Sequence, residues 1–286
     1  MYCNTILATF IASDDRYISI NVVIKNCLDG LAAHISLKNI VQAVDGLKEV
    51  LIAGDVLLGN LRAAVLMLHP VAARRNYAFI HDNSLYLNLK ARMLIALIVA
   101  RSMKTFFPCH HSTLHVPFHR LLSSRMAVDY FGAFLPLDDV KRRRPTCLKM
   151  AVVGRIEPAK NQRLALDIAN CLAENGYRVQ LTLVGARSNI AYCSAIMSAD
   201  RHPTLELFQQ EVHRFEIPGL LQRQDLIVHT SVAESLPLVL FEANALGIPF
   251  FALPVGGIPE VLPKKYWLSS DVDESVRQID HTFSCA

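Results

Sequence analysis

Two glutamates and two cations in the C-terminal half of the chain have the types and spacing to do chemistry. Glu234 and Glu242 enclose the run Ser-Leu-Pro-Leu-Val-Leu-Phe, and the whole follows an apolar stretch, Asp225-Leu-Ile-Val-His-Thr230, whose composition predicts a strand. Pro237 pre-sets φ for a first helical turn and lacks an N–H that would have no partner there anyway. An apolar helix is expected from there to about Leu246, stopped by Gly247 and Pro249. One carboxylate then lies in a loop at a strand's C-terminal end and the other one to two turns inside the helix. Between them, backbone N–H groups near Leu238 and Val239 emerge from a helix N-terminus, a seat for phosphate. Acceptors for sugar hydroxyls thus flank donors for a diphosphate, an arrangement that suits a nucleotide-sugar.

The cations lie in Gly154-Arg-Ile-Glu-Pro-Ala-Lys160. A proline-containing loop of this length lets Arg155 and Lys160 converge on one anion. A planar guanidinium fork and a compact ammonium together match a diphosphate whose charge grows as it departs.

Such residues must be positioned by a sheet. From Cys147 onward, strands predicted at 148–153, 178–184, 204–208 and 225–230 alternate with helices at 161–174, 189–199 and 218–223. Gly176 caps the first helix. That alternation implies a parallel sheet covered on both faces, with ligands at the carboxyl ends of its strands. The N-terminal half reads as a second βα array, with strands at 17–24, 49–53 and 77–80 and helices at 32–44, 57–68 and 85–103. Gly30 marks its first turn, and a further strand entering at Thr105 leads to His110-His111-Ser112. Between the halves, two prolines surround the charge run Lys141-Arg-Arg-Arg144, the chain's clearest boundary. The expected domains are therefore 1–140 and 147–286, joined by a basic linker at 141–146 that is solvated or touches an anionic membrane surface.

Composition narrows the classes. A chain of 286 residues, 52% hydrophobic and 19% charged, has room for two packed cores. Its net charge of +4 suits anionic ligands but is too small to argue for nucleic acid. Seven scattered cysteines without a CxxC pair fit reduced thiols in a cytoplasmic protein. No run approaches the roughly 20 apolar residues of a membrane span, and residues 93–100 read as a buried helix. No G-x-G-x-x-G follows a strand, which argues against a nicotinamide dehydrogenase.

The stretch from Glu234 to Glu242, followed by Pro249-Phe-Phe-Ala-Leu-Pro254 and Gly256-Gly-Ile-Pro-Glu260, resembles the E-x7-E, strand and Gly-Gly-x-x-E sequence of group 1 retaining glycosyltransferases. Gly154 to Lys160 resembles the family's G-R-x4-K element. The resemblance is strong over 148–262 and looser from 17 onward, where the chain is similar to the phosphatidylinositol mannosyltransferase type with a shortened N-terminal domain. It implies an α/β GT-B architecture, two Rossmann-like doubly wound domains facing across a cleft. It also implies that Arg155 and Lys160 hold the nucleotide diphosphate, that Glu234 contacts the transferred sugar, and that Glu242 accepts from the ribose hydroxyls. Backbone groups of Ser235, Leu236, Leu238 and Val239 would line the sugar and phosphates, and residues 208–212 the base. His81 would face the transferred sugar with His111 beside it, and Gly30 would lie near acceptor or donor phosphates.

The implied activity is transfer, with retention, from a UDP- or GDP-sugar to a glycan or lipid-linked acceptor. That places the protein in cell-envelope glycan, lipopolysaccharide or glycolipid synthesis, cytoplasmic or peripheral at the membrane's inner face. No cofactor and no metal are implied. Asp271-Val-Asp273 matches the metal-binding D-x-D of another glycosyltransferase fold, but it falls where aspartates cap a terminal helix. A protein that binds a nucleotide-sugar without turnover is the alternative, motivated by the shortened first domain and the single glycine at Gly30. A sugar epimerase of the same fold is disfavoured by the presence of the E-x7-E element.

Overall fold

The computed structural model describes residues 56–59, 75–80, 87–130 and 143–283. The elements expected at 17–24, 32–44 and 49–53, together with Gly30, His81 and the first half of the basic run, lie outside the described residues. The chain divides into two compact units, Met1–Ala133 and Phe134–Ala286.

In the first unit, strands β1 (Val56–Gly59), β2 (Arg75–Phe79), β3 (Lys104–Phe107) and β4 (Met126–Val128) form one sheet in that order. Every pairing is parallel. Helix α1 (Leu89–Arg101) crosses from β2 to β3, and its first turn is capped by the Asn88 side chain on the Ala91 N–H. Ile80, Ile95, Ile98, Val99 and Phe107 are fully buried and make this unit's core. Helix α1 is one-sided: Met93 and Leu97 are exposed while Ile95, Ala96, Ile98 and Val99 are covered. The helix expected to be buried is therefore buried on one face only. A second correction concerns residues 57–59, expected to begin a helix but placed in β1. A short apolar run such as Val-Leu-Leu carries no period that separates strand from helix, and pairing with β2 decides it. After β3 come two short helices, α2 (His110–Leu114) and α3 (His119–Leu122). His111-Ser112 therefore sits on a helical turn rather than at a strand end.

The second unit is a doubly wound sheet of β5 (Leu148–Val153), β6 (Val179–Val184), β7 (Leu205–Gln210), β8 (Leu226–His229) and β9 (Phe250–Ala252). Their order is β7-β6-β5-β8-β9, all parallel. The order reverses beside β5, so the ends of β5 and β8 form the switch point where such sheets take ligands. Helices α4 (Gln162–Glu174) and α5 (Ile190–Met197) pack on one face. On the other face lie α6 (Ile217–Leu221), α7 (Leu238–Ala245) and α8 (Ile258–Val261). The last helix, α9 (Val272–Phe283), returns to α4 and buries Val276, Ile279 and Phe283 there. Alternate residues of β5 serve the two faces: Leu148, Met150 and Val152 join one core and Ala151 the other.

The second half of the basic run has a structural use. The Arg144 guanidinium lies 3.6 Å from the centroid of the Tyr177 ring, and its Nη2 donates to the Asn175 carbonyl. Tyr177 in turn donates to Asp280 on α9 at 2.6 Å. Burial, reinforced by that carboxylate, pushes the Tyr177 phenol up to about 12.

Candidate functional site

The loops that carry the chemistry are stitched together by backbone. After β5, a 3-10 turn at Pro158–Lys160 leads into α4 through Asn161, at φ 48°. The loop after β8 binds this turn twice: Val232 N–H donates to the Ala159 carbonyl at 3.0 Å, and Thr230 Oγ1 donates to the Lys160 carbonyl at 2.9 Å. These bonds bring together side chains 74 positions apart, and Lys160 Nζ forms an ion pair with Glu234 Oε1.

Glu234 has a second partner that sequence reasoning missed. His229, the last residue of β8, is buried and places Nε2 3.4 Å from the same Oε1. Burial alone would raise the Glu234 carboxyl. The neighbouring His229 and Lys160 overcome that and hold it at about 2, against an ordinary 4.5. A signal existed, because His229 ends an otherwise apolar strand at the sheet's carboxyl edge, where such sheets take ligands.

Gly256 explains the Gly-Gly loop. It has φ +60°, and a Cβ there would lie 1.8 Å from the Glu234 carbonyl oxygen. Its neighbour Gly257 donates its N–H to the Ser235 carbonyl at 2.7 Å. The second glycine-rich element of the motif is thus the backbone support of the first glutamate. A comparable contact holds β5 to β6, since a Cβ on Gly185 would come within 2.2 Å of the Gly154 carbonyl.

Helix α7 begins after Pro237, with no side chain capping it. Leu236 and Val239 are buried among the core residues and Ser235 is buried beside them. What this segment can offer a ligand is main chain, chiefly the first-turn N–H groups at Leu238 and Val239. Gly247, at φ +67°, ends the helix as expected.

Glu242 lies on α7 and pairs with Arg214, whose Nη2 is 3.0 Å from Glu242 Oε1. Arg214 belongs to the loop after β7 and no motif pointed to it. Arg155 is the most open of the cations, with 64% of its side chain exposed, and it pairs with Glu157 at 3.0 Å. Arg155 and Lys160, expected to converge on one anion, each hold a different glutamate here.

In the first unit, His111 lies on α2 with its ring centroid 4.7 Å from that of His115. Burial, with His111 and Arg92 nearby, lowers the His115 pKa. Phe208 on β7 is exposed, and Val212 packs against the core around α7. Asp271 caps α9 through Oδ1 on the Glu274 N–H at 2.9 Å, and Asp273 lies beside the Cys171 thiol. Among the described residues, no three His, Cys, Asp or Glu side chains gather as a metal site, and no helix is long and apolar enough to cross a membrane.

A doubly wound parallel sheet with cations, carboxylates and a helix N-terminus at its switch point defines a class of α/β protein. Solved structures of GT-B glycosyltransferases share the fold. HepE of Anabaena, in complex with UDP-glucose, superposes with a TM-score of 0.63 at 19% identity, over 79% of this chain and 68% of that one. TarM of S. aureus also gives 0.63, at 16% identity over 82% and 50%. Residues 138–281, half of the chain, match the family model for group 1 glycosyl transferases, and the protein belongs to that family. The phosphatidylinositol N-acetylglucosaminyltransferase GPI3 subunit of Saccharomyces cerevisiae is 26% identical over 132 residues, 46% of this chain but 29% of the yeast protein.

Proposed function

We propose that the protein transfers a sugar, with retention and without a metal, from a UDP- or GDP-sugar to a glycan or lipid-linked acceptor. The place of action would be the cytoplasm or the inner membrane face, in envelope glycan, lipopolysaccharide or glycolipid synthesis. The observation that carries this reading is the meeting of Lys160 and Glu234 at the end of β5 and β8, just before the N-terminus of α7. A cation for phosphate and an acceptor for sugar hydroxyls stand side by side. That HepE was solved with UDP-glucose supports a nucleotide-sugar as the donor here.

In this scheme Lys160 holds Glu234 through one of its three N–H donors and has others to offer a phosphate oxygen. Arg155 swings from Glu157 to the diphosphate, and the first turn of α7 adds backbone donors and the helix dipole. As the bond from sugar to phosphate breaks, charge grows on the departing nucleotide, and these fixed positive groups stabilise it. Glu234 orients the sugar and Glu242 the ribose, while Ser235, Leu236, Leu238 and Val239 contribute main chain. The first unit takes the acceptor, with His81 and His111 as its candidate residues.

Incubating the chain with UDP- and GDP-sugars and candidate acceptors, with and without a chelator, tests this. A glycosylated product of unchanged anomeric configuration, insensitive to chelator, is expected. Nucleotide binding with no turnover and no donor hydrolysis would favour a binding protein instead, and an inverted product would overturn retention.

A further inference from the structure

We infer that Arg214 is a positioning residue that orients Glu242 so that one carboxylate oxygen is left for the nucleotide's vicinal ribose hydroxyls. The inference rests on the reading of Glu242 as the ribose acceptor and adds to it a residue from outside the motif.

The contact is single-sided. Arg214 Nη2 reaches Glu242 Oε1 at 3.0 Å, and among the described residues no hydrogen bond or ion pair is made to Glu242 Oε2. A carboxylate offers about four lone-pair directions. An arginine bound through both nitrogens would occupy both oxygens. Bound as it is here, it fixes the rotamer and leaves Oε2 open for two hydroxyl donors.

The loop that presents Arg214 is itself fastened. His213 and Glu216 form a reciprocal cap: the His213 N–H donates to Glu216 Oε2 at 2.8 Å and the Phe215 N–H to His213 Nδ1 at 3.5 Å. Pro218 lies in the first turn of α6, and the His213 and Phe215 rings stack at 4.9 Å. The same loop carries Val212, which packs into the core cluster of Val239 and Leu240 on α7. The segment after β7 and the helix bearing Glu242 are thus coupled twice, by packing and by the ion pair.

Arg214 Nε is buried without an acceptor among the described residues, and a buried donor left unpaired carries a desolvation penalty. The side chains of Arg214 and Glu242 are also 23% and 28% exposed, so removing the arginine does not strand a buried charge.

The test measures binding of UDP, GDP and ADP and of their 2′,3′-dideoxy counterparts to the whole chain and to Arg214→Met, Arg214→Lys and Glu242→Gln. Arg214→Met should weaken the ribonucleotide about 10-fold, the scale of one charge-assisted contact, and leave the dideoxy compound unchanged. Arg214→Lys should recover part of the loss, since the cation returns without its planar fork. The ligand-free thermal midpoint of Arg214→Met should match the parent's. Equal weakening of ribo- and dideoxynucleotides, or none, with Glu242→Gln still selective against the ribose, would overturn the role of Arg214 alone. If Glu242→Gln also binds both nucleotides as the parent does, or if the parent binds none of the three, the ribose assignment itself falls.

Discussion

Glu234 and Glu242 close the same nine-residue motif, yet the fold treats them differently. Glu234 lies in a loop whose backbone is clasped from two sides, by the Pro158–Lys160 turn through its neighbours Thr230 and Val232 and by the Gly256–Gly257 turn directly. Its carboxylate has both Lys160 and His229 at one oxygen. Glu242 rides on the apolar helix α7, and among the described residues its carboxylate has a single ion-pair partner, Arg214. The comparison separates two jobs that the motif's spacing hides. The first glutamate is part of the architecture of the site, so its loss should be felt in stability and in pH dependence. The second is a ligand group mounted on finished architecture, so its loss should be felt in binding.

The largest effect should come from Gly256→Ala. Its left-handed φ costs a non-glycine residue roughly 1–3 kcal/mol, and the added Cβ would drive into the Glu234 carbonyl. Chemical denaturation should show marked destabilisation, with nucleotide binding lost as the Glu234 loop shifts. The same substitution at Gly247, where a Cβ meets nothing within 4 Å, should destabilise through φ alone and spare binding.

Next in size is the Lys160–Glu234 pair. Lys160→Met should cost roughly 1.5–3 kcal/mol, the scale of a hydrogen bond to a charged group. The Glu234 carboxyl is held at about 2 rather than 4.5 in the folded state, so it contributes stability that is complete above about pH 4.5 and lost as pH falls towards 2. Urea titrations across that window should show the parent losing stability there. Lys160→Met should show a smaller loss that begins at the same pH, set by the unfolded-state carboxyl, and ends at a higher one, because the folded-state value moves back towards the ordinary one.

Much of this was legible in the chain, and the illegible part has a common cause. Strands 148–153 and 226–229 and the helix from Leu238 were readable because local signals agree: apolar runs, Pro237 before the helix and Gly247 after it. Asp271 was rightly read as a cap. Spacing also singled out Lys160, Glu234 and Glu242, and the structure brings the first two together. Their further partners were not singled out. Arg214 meets Glu242 across 28 positions and His229 meets Glu234 only through the turn that follows β8. A pairing such as that of Arg214 with Glu242, made by tertiary structure, leaves no local trace. Arg155 was legible from its loop spacing, but its pairing with nearby Glu157 was not. Residues 57–59 failed for want of length, since so short an apolar run is decided by its neighbour strand.

Smaller effects should follow at the ligand groups. Glu242→Ala should weaken nucleoside diphosphate binding by roughly 1.5–3 kcal/mol while leaving the ligand-free thermal midpoint near the parent's. Arg155→Ala should be silent in stability, since an exposed ion pair contributes roughly 0–1 kcal/mol, and should register only as weaker binding.

Calorimetric titration of UDP and GDP into the parent, Lys160→Met and Glu242→Ala tests the central claim most directly. One nucleotide should bind the parent at a single site and lose at least tenfold in affinity in each variant, with stability lowered only in Lys160→Met. Unchanged affinity in both variants would contradict a nucleotide seat at the ends of β5 and β8.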